Sequence, residues 1–398
     1  MKILRVIASV DPASGGPVAG LTAVTPALAK LGHTTEFATV DDPSAQFLVN
    51  GLGPTHALGP STSRYAYSPR LDPWLREHLP HYDAVFVHGL WQYLGRTVRS
   101  FSRLAKNPPY FVLPHGMLDP GLRRTYPVRH FKKWLYWQTI ERRVLRDALA
   151  VFFTCEEERR LARQSFPFYR CTEKVIAYGT AAPVENFSAW AAAWRAKCPQ
   201  VEGRPYLLFL GRIHSKKGID LLLRAYVRLM KDTSPTKRGA LPDLVVAGPS
   251  TDADYLASLQ ALGHAEEAEA KIHWVGMLAG DAKWGALKAA EAFVLPSHHE
   301  NFGIAVVEAL ACGVPVLISN RVNIWRELIA DSTALVEADD ENGTRRLLER
   351  WQGISPDTRL TMSANAQRSF QKRFEISQSA ENLAQQLSQL VPSPSPSF

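Results

Sequence analysis

Short apolar runs and longer amphipathic stretches alternate along the whole chain. Apolar runs at 2–8, 34–40, 84–87, 110–113 and 148–154 each end at a polar or glycine-bearing loop, as strands buried on both faces do. A second series follows at 206–210, 244–248, 272–277, 292–295 and 315–318. Between the runs, apolar residues recur at helical spacing over 18–31 (with Pro26 inside), 128–146, 219–230 and 363–387. One shorter helix is punctuated by Gly303 near its start and Gly313 just past its end. Strand and helix alternating in both halves predict an α/β protein with two doubly wound parallel sheets.

Chemistry concentrates around that short helix. The chain enters it through Pro296-Ser297-His298-His299-Glu300-Asn301-Phe302-Gly303-Ile304 and leaves through Cys312-Gly313-Val314-Pro315-Val316. Amides near Phe302, Gly303 and Ile304 precede the first intrahelical acceptor. With the positive end of the helix dipole they make an anion site. Glu300 in the loop and Glu308 in the helix bracket it. Ionised carboxylates only accept hydrogen bonds, which suits the donating hydroxyls of a sugar. A phosphate cradle between two hydroxyl acceptors fits a nucleotide sugar better than a bare nucleotide. The same strand–loop–helix–strand unit occurs in every doubly wound protein, so these residues alone leave a purely structural reading open.

Other strand ends carry candidates of their own. After the run at 206–210, Gly211-Arg212-Ile213-His214-Ser215-Lys216-Lys217-Gly218 precedes a helix. Arg212, for bidentate contact, and Lys217, as a point charge, would clamp a diphosphate there; a solvated basic turn has the same composition. His88 follows one run and His115 another, and ligands of doubly wound sheets gather outside the carboxyl ends of strands. Either histidine could equally be structural. Gly15 and Gly16 lie in a turn-rich loop after the first run. The Gly-x-Gly-x-x-Gly dinucleotide spacing is absent there.

Composition narrows the class. The 398 residues suit two or three domains, and 46% hydrophobic with 21% charged residues is a globular balance. Four cysteines without metal-ligand spacing read as reduced thiols, and neither a metal nor a cofactor is expected. The apolar start reads as a first strand and not as a signal peptide, and no run reaches membrane-spanning length. The net charge of +8 is local: between Gly121 and Arg146 stand Arg123, Arg124, Arg129, Lys132, Lys133, Arg142, Arg143 and Arg146 against the single acid Glu141. That is a patch and not the diffuse charge of a nucleic-acid binder. On one continuous helix over 128–146, Phe131, Trp134, Trp137, Val144 and Leu145 share a face and most of the basic residues lie opposite. Such a helix suits the headgroup layer of an anionic membrane, or an ordinary core-packed surface. The expected location is the cytoplasm, with that helix against the inner face of the cell membrane.

Glu300 and Glu308 eight positions apart, Phe302-Gly303-Ile304 between them, and the run Glu308-Ala309-Leu310-Ala311-Cys312-Gly313-Val314-Pro315-Val316 together resemble the signature of glycosyltransferase family 4, the group 1 glycosyl transferases. Gly211-Arg212 and the Lys217-Gly218 pair agree with it. The resemblance implies the GT-B fold: two Rossmann-like domains facing a cleft, at 1–185 and 200–370, a C-terminal helix at 371–390 returning to the first domain, and a disordered Pro/Ser tail at 391–398. The run at 174–180 becomes the last strand of the first domain, with Tyr178 where the family usually carries asparagine. The implied reaction is metal-independent, retaining transfer from a UDP- or GDP-linked sugar to a saccharide acceptor. A lipid-linked acceptor of bacterial surface-polysaccharide assembly follows if the membrane patch is real. His115, Arg212, Lys217 and Glu300 become the catalytic set. Gly15, Gly16, Asn301, Phe302, Gly303, Ile304 and Glu308 become donor contacts. The rival readings are a nucleotide-sugar epimerase, a phosphorylase, and a non-catalytic sugar-nucleotide-binding module.

Overall fold

The computed structural model describes every residue except Asn50, Ala105, 122–126, Ala177, 265–267 and 392–398, with backbone alone at 127–130 and 269. The chain forms two compact units. One holds Met1–Ala181 together with the segment from Ile376 onward, and the other is Ala182–Glu375.

The first unit is built on strands β1 (Lys2–Val6), β2 (Thr34–Thr39), β3 (Thr55–Ala57), β4 (Ala84–His88), β5 (Tyr110–Leu113), β6 (Ala150–Phe153) and β7 (Glu173–Val175). They pair in parallel in the order β3-β2-β1-β4-β5-β6-β7. The central strands are buried on both faces, which is why they read as unbroken apolar runs. Phe86, Phe111 and Phe152 stack across three neighbouring strands at centroid separations of 5.1 and 5.3 Å. The Ile376–Leu390 helix belongs to this core: Ala380, Leu383 and Leu387, on one helical stripe, pack with Ile3, Leu28, Phe86 and Phe111. Gln386 ties its other flank to the Val175 carbonyl at 3.0 Å. Of the expected tail, residues 392–398 lie outside the described residues.

The second unit repeats the plan with β8 (Tyr206–Leu210), β9 (Asp243–Ala247), β10 (Ile272–Gly276), β11 (Ala292–Leu295), β12 (Val316–Ser319) and β13 (Ala334–Glu337), all parallel, in the order β10-β9-β8-β11-β12-β13. In each sheet the chain winds one way and then restarts on the other side of its first strand. The reversal falls between β1 and β4 in one unit and between β8 and β11 in the other. Loops leaving these two pairs diverge to opposite faces and open a crevice at the carboxyl edge.

The helix expected over 128–146 is present without a gap, but its geometry is not regular and the shared face is corrected. It is a helix at Pro127–Tyr136, a wide π turn at Trp137–Glu141 and a second helix at Arg142–Asp147. The extra residue per turn breaks the 3.6-residue register on which the shared face rested. Trp137, Val144 and Leu145 are buried, but Phe131 is 62% and Trp134 38% exposed, their rings stacked on each other at 6.2 Å. Trp137 stacks on Phe166 at 5.0 Å and donates to the Pro167 carbonyl at 2.8 Å. Arg123 and Arg124 of the expected patch lie outside the described residues.

The same turn carries Glu141 inward, where its carboxylate accepts the Trp91 amide at 3.1 Å. Burial pushes this carboxyl up to about 8, against the opposing pull of that amide and of Lys133. The native state therefore holds a proton that the unfolded chain releases from about pH 4.5 upward, so stability falls as pH rises from there to about 8. Glu141→Gln keeps an uncharged acceptor for the amide. Urea midpoints measured against pH are expected to lose this decline in the variant, which gains on wild type by a few kcal/mol at pH 9, on the order of three pK units of linkage. A parallel decline in both proteins would mean that Glu141 is ionised in the fold.

Candidate functional site

In the second unit, two loops leave the strands that flank the reversal. After β8 the chain makes the Ser215–Lys217 turn and enters the Ile219–Asp232 helix through Gly218 at φ 67°. A Cβ at Gly218 would stand 2.1 Å from the Pro296 carbonyl oxygen, so only glycine lets this turn press against the end of β11. The Lys216 carbonyl accepts the Ser297 hydroxyl and the His298 amide, both at 2.8 Å, which stitches the two loops together. Lys217 and Glu300 meet in a direct ion pair, each side chain about one-fifth exposed. Arg212 is exposed and has no carboxylate partner among the described residues. Burial lowers the His214 imidazole, and Lys216, Arg212 and Lys217 lower it further. The corner is electropositive.

Glu300 is held by its backbone: its amide donates to the Arg321 carbonyl at 2.9 Å, and its carbonyl accepts the Asn323 amide at 3.0 Å. The Asn323 side chain donates to Asn301 at 3.4 Å. Gly303 then caps the Ile304–Ala311 helix, its carbonyl taking the amides of Val306 and Val307 at 2.9 and 3.2 Å. The Ile304 and Ala305 amides stand ahead of that first intrahelical bond, at the positive end of the helix. The Phe302 ring turns inward onto Phe374 at 5.9 Å, so only its backbone could serve a ligand. Glu308, one turn further on, accepts Lys283 from the Gly280–Ala289 helix at 2.8 Å, leaving its second oxygen as an acceptor. Lys283 escaped the sequence reading because nothing in local spacing links it to Glu308. The Lys217 turn and the Glu300 loop are thus brought into contact, while Glu308 is occupied separately by Lys283.

In the first unit, Gly15 caps the Gly16–Lys30 helix after β1. The demanding position of that helix is Gly20, where a Cβ would stand 1.6 Å from the Tyr178 hydroxyl. Tyr178 lies across the helix and donates to the Gly16 carbonyl at 3.4 Å. Whatever the family places there, this chain uses the ring to close the start of its first helix. His88 ends β4 and is buried; His115 follows β5, is half-buried, and has a left-handed backbone at φ 51°. A non-glycine residue there marks a locally demanding turn. Glu158 holds it, accepting the Gly116 amide at 2.6 Å and the Thr154 amide at 2.7 Å. Nothing in local spacing links Glu158 to Gly116, 42 positions earlier. His88 Nδ1 lies 3.0 Å from His115 Nε2.

Two family descriptions match the chain: "Glycosyl transferase 4-like domain" over residues 15–179 and "Glycosyl transferases group 1" over residues 191–369. Among relatives, the D-inositol 3-phosphate glycosyltransferase of Streptosporangium roseum is 35% identical over 175 residues, 41% of this chain and 38% of that protein. The O-antigen chain mannosyltransferase B of Escherichia coli is 30% identical over 141 residues, 35% of each. These matches span well under half of either relative's length. Anabaena HepE, solved with UDP, superposes with a TM-score of 0.74 at 17% identity, over 98% of this chain and all of that one. At that identity the likeness shows the fold.

The close approach at Gly218 is testable against a glycine that needs none. Gly218→Ala is expected to lower the melting temperature, by roughly 1–3 kcal/mol of strain. Gly16→Ala, where nothing lies within 4 Å of the added carbon, is expected to leave it unchanged. Equal melting of Gly218→Ala and wild type would show that the two loops are not held together as described.

Proposed function

The chain belongs to the group 1 glycosyl transferases and has their GT-B fold of two Rossmann-like units, and from that premise we propose that it moves a sugar from a nucleotide-diphosphate sugar to a saccharide acceptor, with retention at the anomeric carbon and without a metal ion. The observation that carries the proposal is the Lys217–Glu300 pair beside the free amides of Ile304 and Ala305, at the reversal point of the second sheet. A cation and amide donors belong with a diphosphate, and the adjacent carboxylate belongs with hydroxyls.

In this reading Arg212, Lys217 and the amides around Gly303 stabilise the charge that grows on the UDP or GDP leaving group as the glycosidic bond breaks. Glu300 accepts from hydroxyls of the sugar. Glu308 accepts from the ribose through the oxygen that Lys283 leaves open. Asn301 lines the same loop, and Gly15 and Gly16 border a ligand of the first unit. His115 is the hydrogen-bonding partner of the sugar or acceptor. None of these groups is a ready covalent nucleophile, which favours attack by the acceptor on the face the leaving group departs from.

Lys217→Ala is expected to slow acceptor-dependent release of the nucleoside diphosphate by 10²–10³-fold, about 3–4 kcal/mol of barrier, with little change in melting temperature, because the pair is partly solvated. Wild-type rates in a chelator should equal those without it, and NMR of the product should show the donor's anomeric configuration. Unchanged transfer in Lys217→Ala removes this residue from the site. Loss of transfer in chelator, or an inverted product, refutes that part of the mechanism.

We further propose that the acceptor is lipid-linked, in bacterial surface-polysaccharide assembly, and is met at an anionic membrane surface. The exposed, mutually stacked Phe131 and Trp134 support this, on a helix that also carries Lys132 and Lys133 and runs on toward exposed Arg143. Among the described residues no helix is long and apolar enough to cross a membrane, so contact would be interfacial. Sedimentation with liposomes should require anionic lipid, weaken with salt, and fall in a Phe131→Ala/Trp134→Ala protein and again in Lys132→Gln/Arg143→Gln. Indifference to anionic liposomes at low salt would point to a soluble acceptor.

A further inference from the structure

Arg5 is a charge in the middle of a buried strand. It lies in β1 between Leu4 and Val6, is 2% exposed, and rests on the Phe86 ring at 4.8 Å. Among the described residues no carboxylate pairs with it, and its Nε and Nη2 have no partner. Burial lowers the guanidinium to about 10. A charge buried without an ionic partner is costly, which directs attention to the contacts it does make. Among the described residues its guanidinium has a hydrogen-bond partner only in His88: Nη1 lies 3.2 Å from the ring Nε2. His88 Nδ1 in turn lies 3.0 Å from His115 Nε2, the two rings nearly parallel at 17° with centroids 5.2 Å apart. The three side chains form one chain, from the centre of the sheet to the loop at its carboxyl edge.

The direction of every proton in that chain follows from its first member. A guanidinium has donors and no acceptor. The His88 Nε2 facing it must therefore be a lone pair, and the His88 proton must sit on Nδ1. That proton points at His115 Nε2, which must also be a lone pair. His115 is left neutral, with its proton on Nδ1, the nitrogen that has no partner among the described residues. The environment agrees: burial, then the Arg5 charge, lowers His115 to about 4, and burial, Arg5 and His115 lower His88 well below its ordinary value.

We propose that Arg5, acting through His88, locks His115 as an Nδ1–H imidazole, so that His115 presents a hydrogen-bond donor to an oxygen of the transferred sugar or acceptor and does not take the acceptor's proton. Arg5 and His88 are positioning residues. The catalytic half of this inference rests on the proposed function; the lock itself does not. It gives the buried arginine a purpose and narrows the role of His115 from acid, base or ligand to donor alone.

Long-range proton–nitrogen NMR of histidine-labelled protein at pH 7 reads which ring nitrogen bears the proton, with His115 assigned by the peak lost in His115→Gln. Wild type is expected to show a single Nδ1–H tautomer for both rings. Arg5→Lys keeps a donor to His88 and should preserve it. Arg5→Met removes the donor and should release His115 toward the Nε2–H form that free histidine favours. In transfer assays Arg5→Met should lose at least tenfold in kcat with donor KM little changed, and Arg5→Lys should recover most of the loss. An Nε2–H or protonated His115 in wild type overturns the lock without recourse to any variant. A lock that is lost in Arg5→Met while kcat stays at the wild-type value overturns the catalytic half. Failure of wild type to transfer with any nucleotide sugar counts against the proposed function and leaves the ring spectra to decide the lock.

Discussion

Two all-parallel sheets impose one constraint on everything else: each central strand must be covered on both faces. Its side chains are then committed to the core, and polar chemistry is pushed to the loops at the strand ends. Where the winding reverses, neighbouring loops part and backbone groups stay open to a ligand. The second unit shows the result. Between β8 and β11, a turn that needs glycine against the Pro296 carbonyl places Lys217 on Glu300, beside amides that the following helix does not use. In the first unit Arg5 departs from that constraint, as a charge admitted into a covered strand.

Legibility in the sequence follows that division. Strands covered on both faces write themselves as unbroken apolar runs, so the central strands of both sheets, and the short helix between Gly303 and Gly313, could be placed from the residue pattern, while the half-exposed edge strands β3 and β13 were not. The glycine punctuation and the Glu300–Glu308 spacing located the loop beside that helix. What could not be read are partnerships between distant segments. Glu308 finds Lys283 on another helix, Glu158 reaches back to Gly116, and Arg5 meets His88 across two strands. Arg5 did leave a signal, a charge inside an otherwise apolar run, but such a residue announces burial cost and not its purpose.

The wide turn at Trp137–Glu141 failed for a different reason. Helical periodicity assumes a constant number of residues per turn, and a single five-residue turn changes the face presented by everything before it. The turn sends Trp137 and Glu141 inward and leaves Phe131 and Trp134 outside. An aromatic stripe that looked like core, or like one interface, is divided into a core part and a surface part. The surface part is what an interfacial role would need.

The Ile376–Leu390 helix makes the first unit discontinuous in sequence. Ala380, Leu383 and Leu387 cover Ile3, Phe86 and Phe111, yet the ribosome makes them only after the whole Ala182–Glu375 unit. The second unit has all its strands and helices in one uninterrupted stretch and can mature as soon as that stretch emerges. The first sheet must wait, with part of its apolar face uncovered, through the synthesis of its neighbour. Order of synthesis and order of completion are therefore reversed in this chain. The half translated first is the half that holds exposed aromatic surface longest, and it is the half for which a holding chaperone would matter.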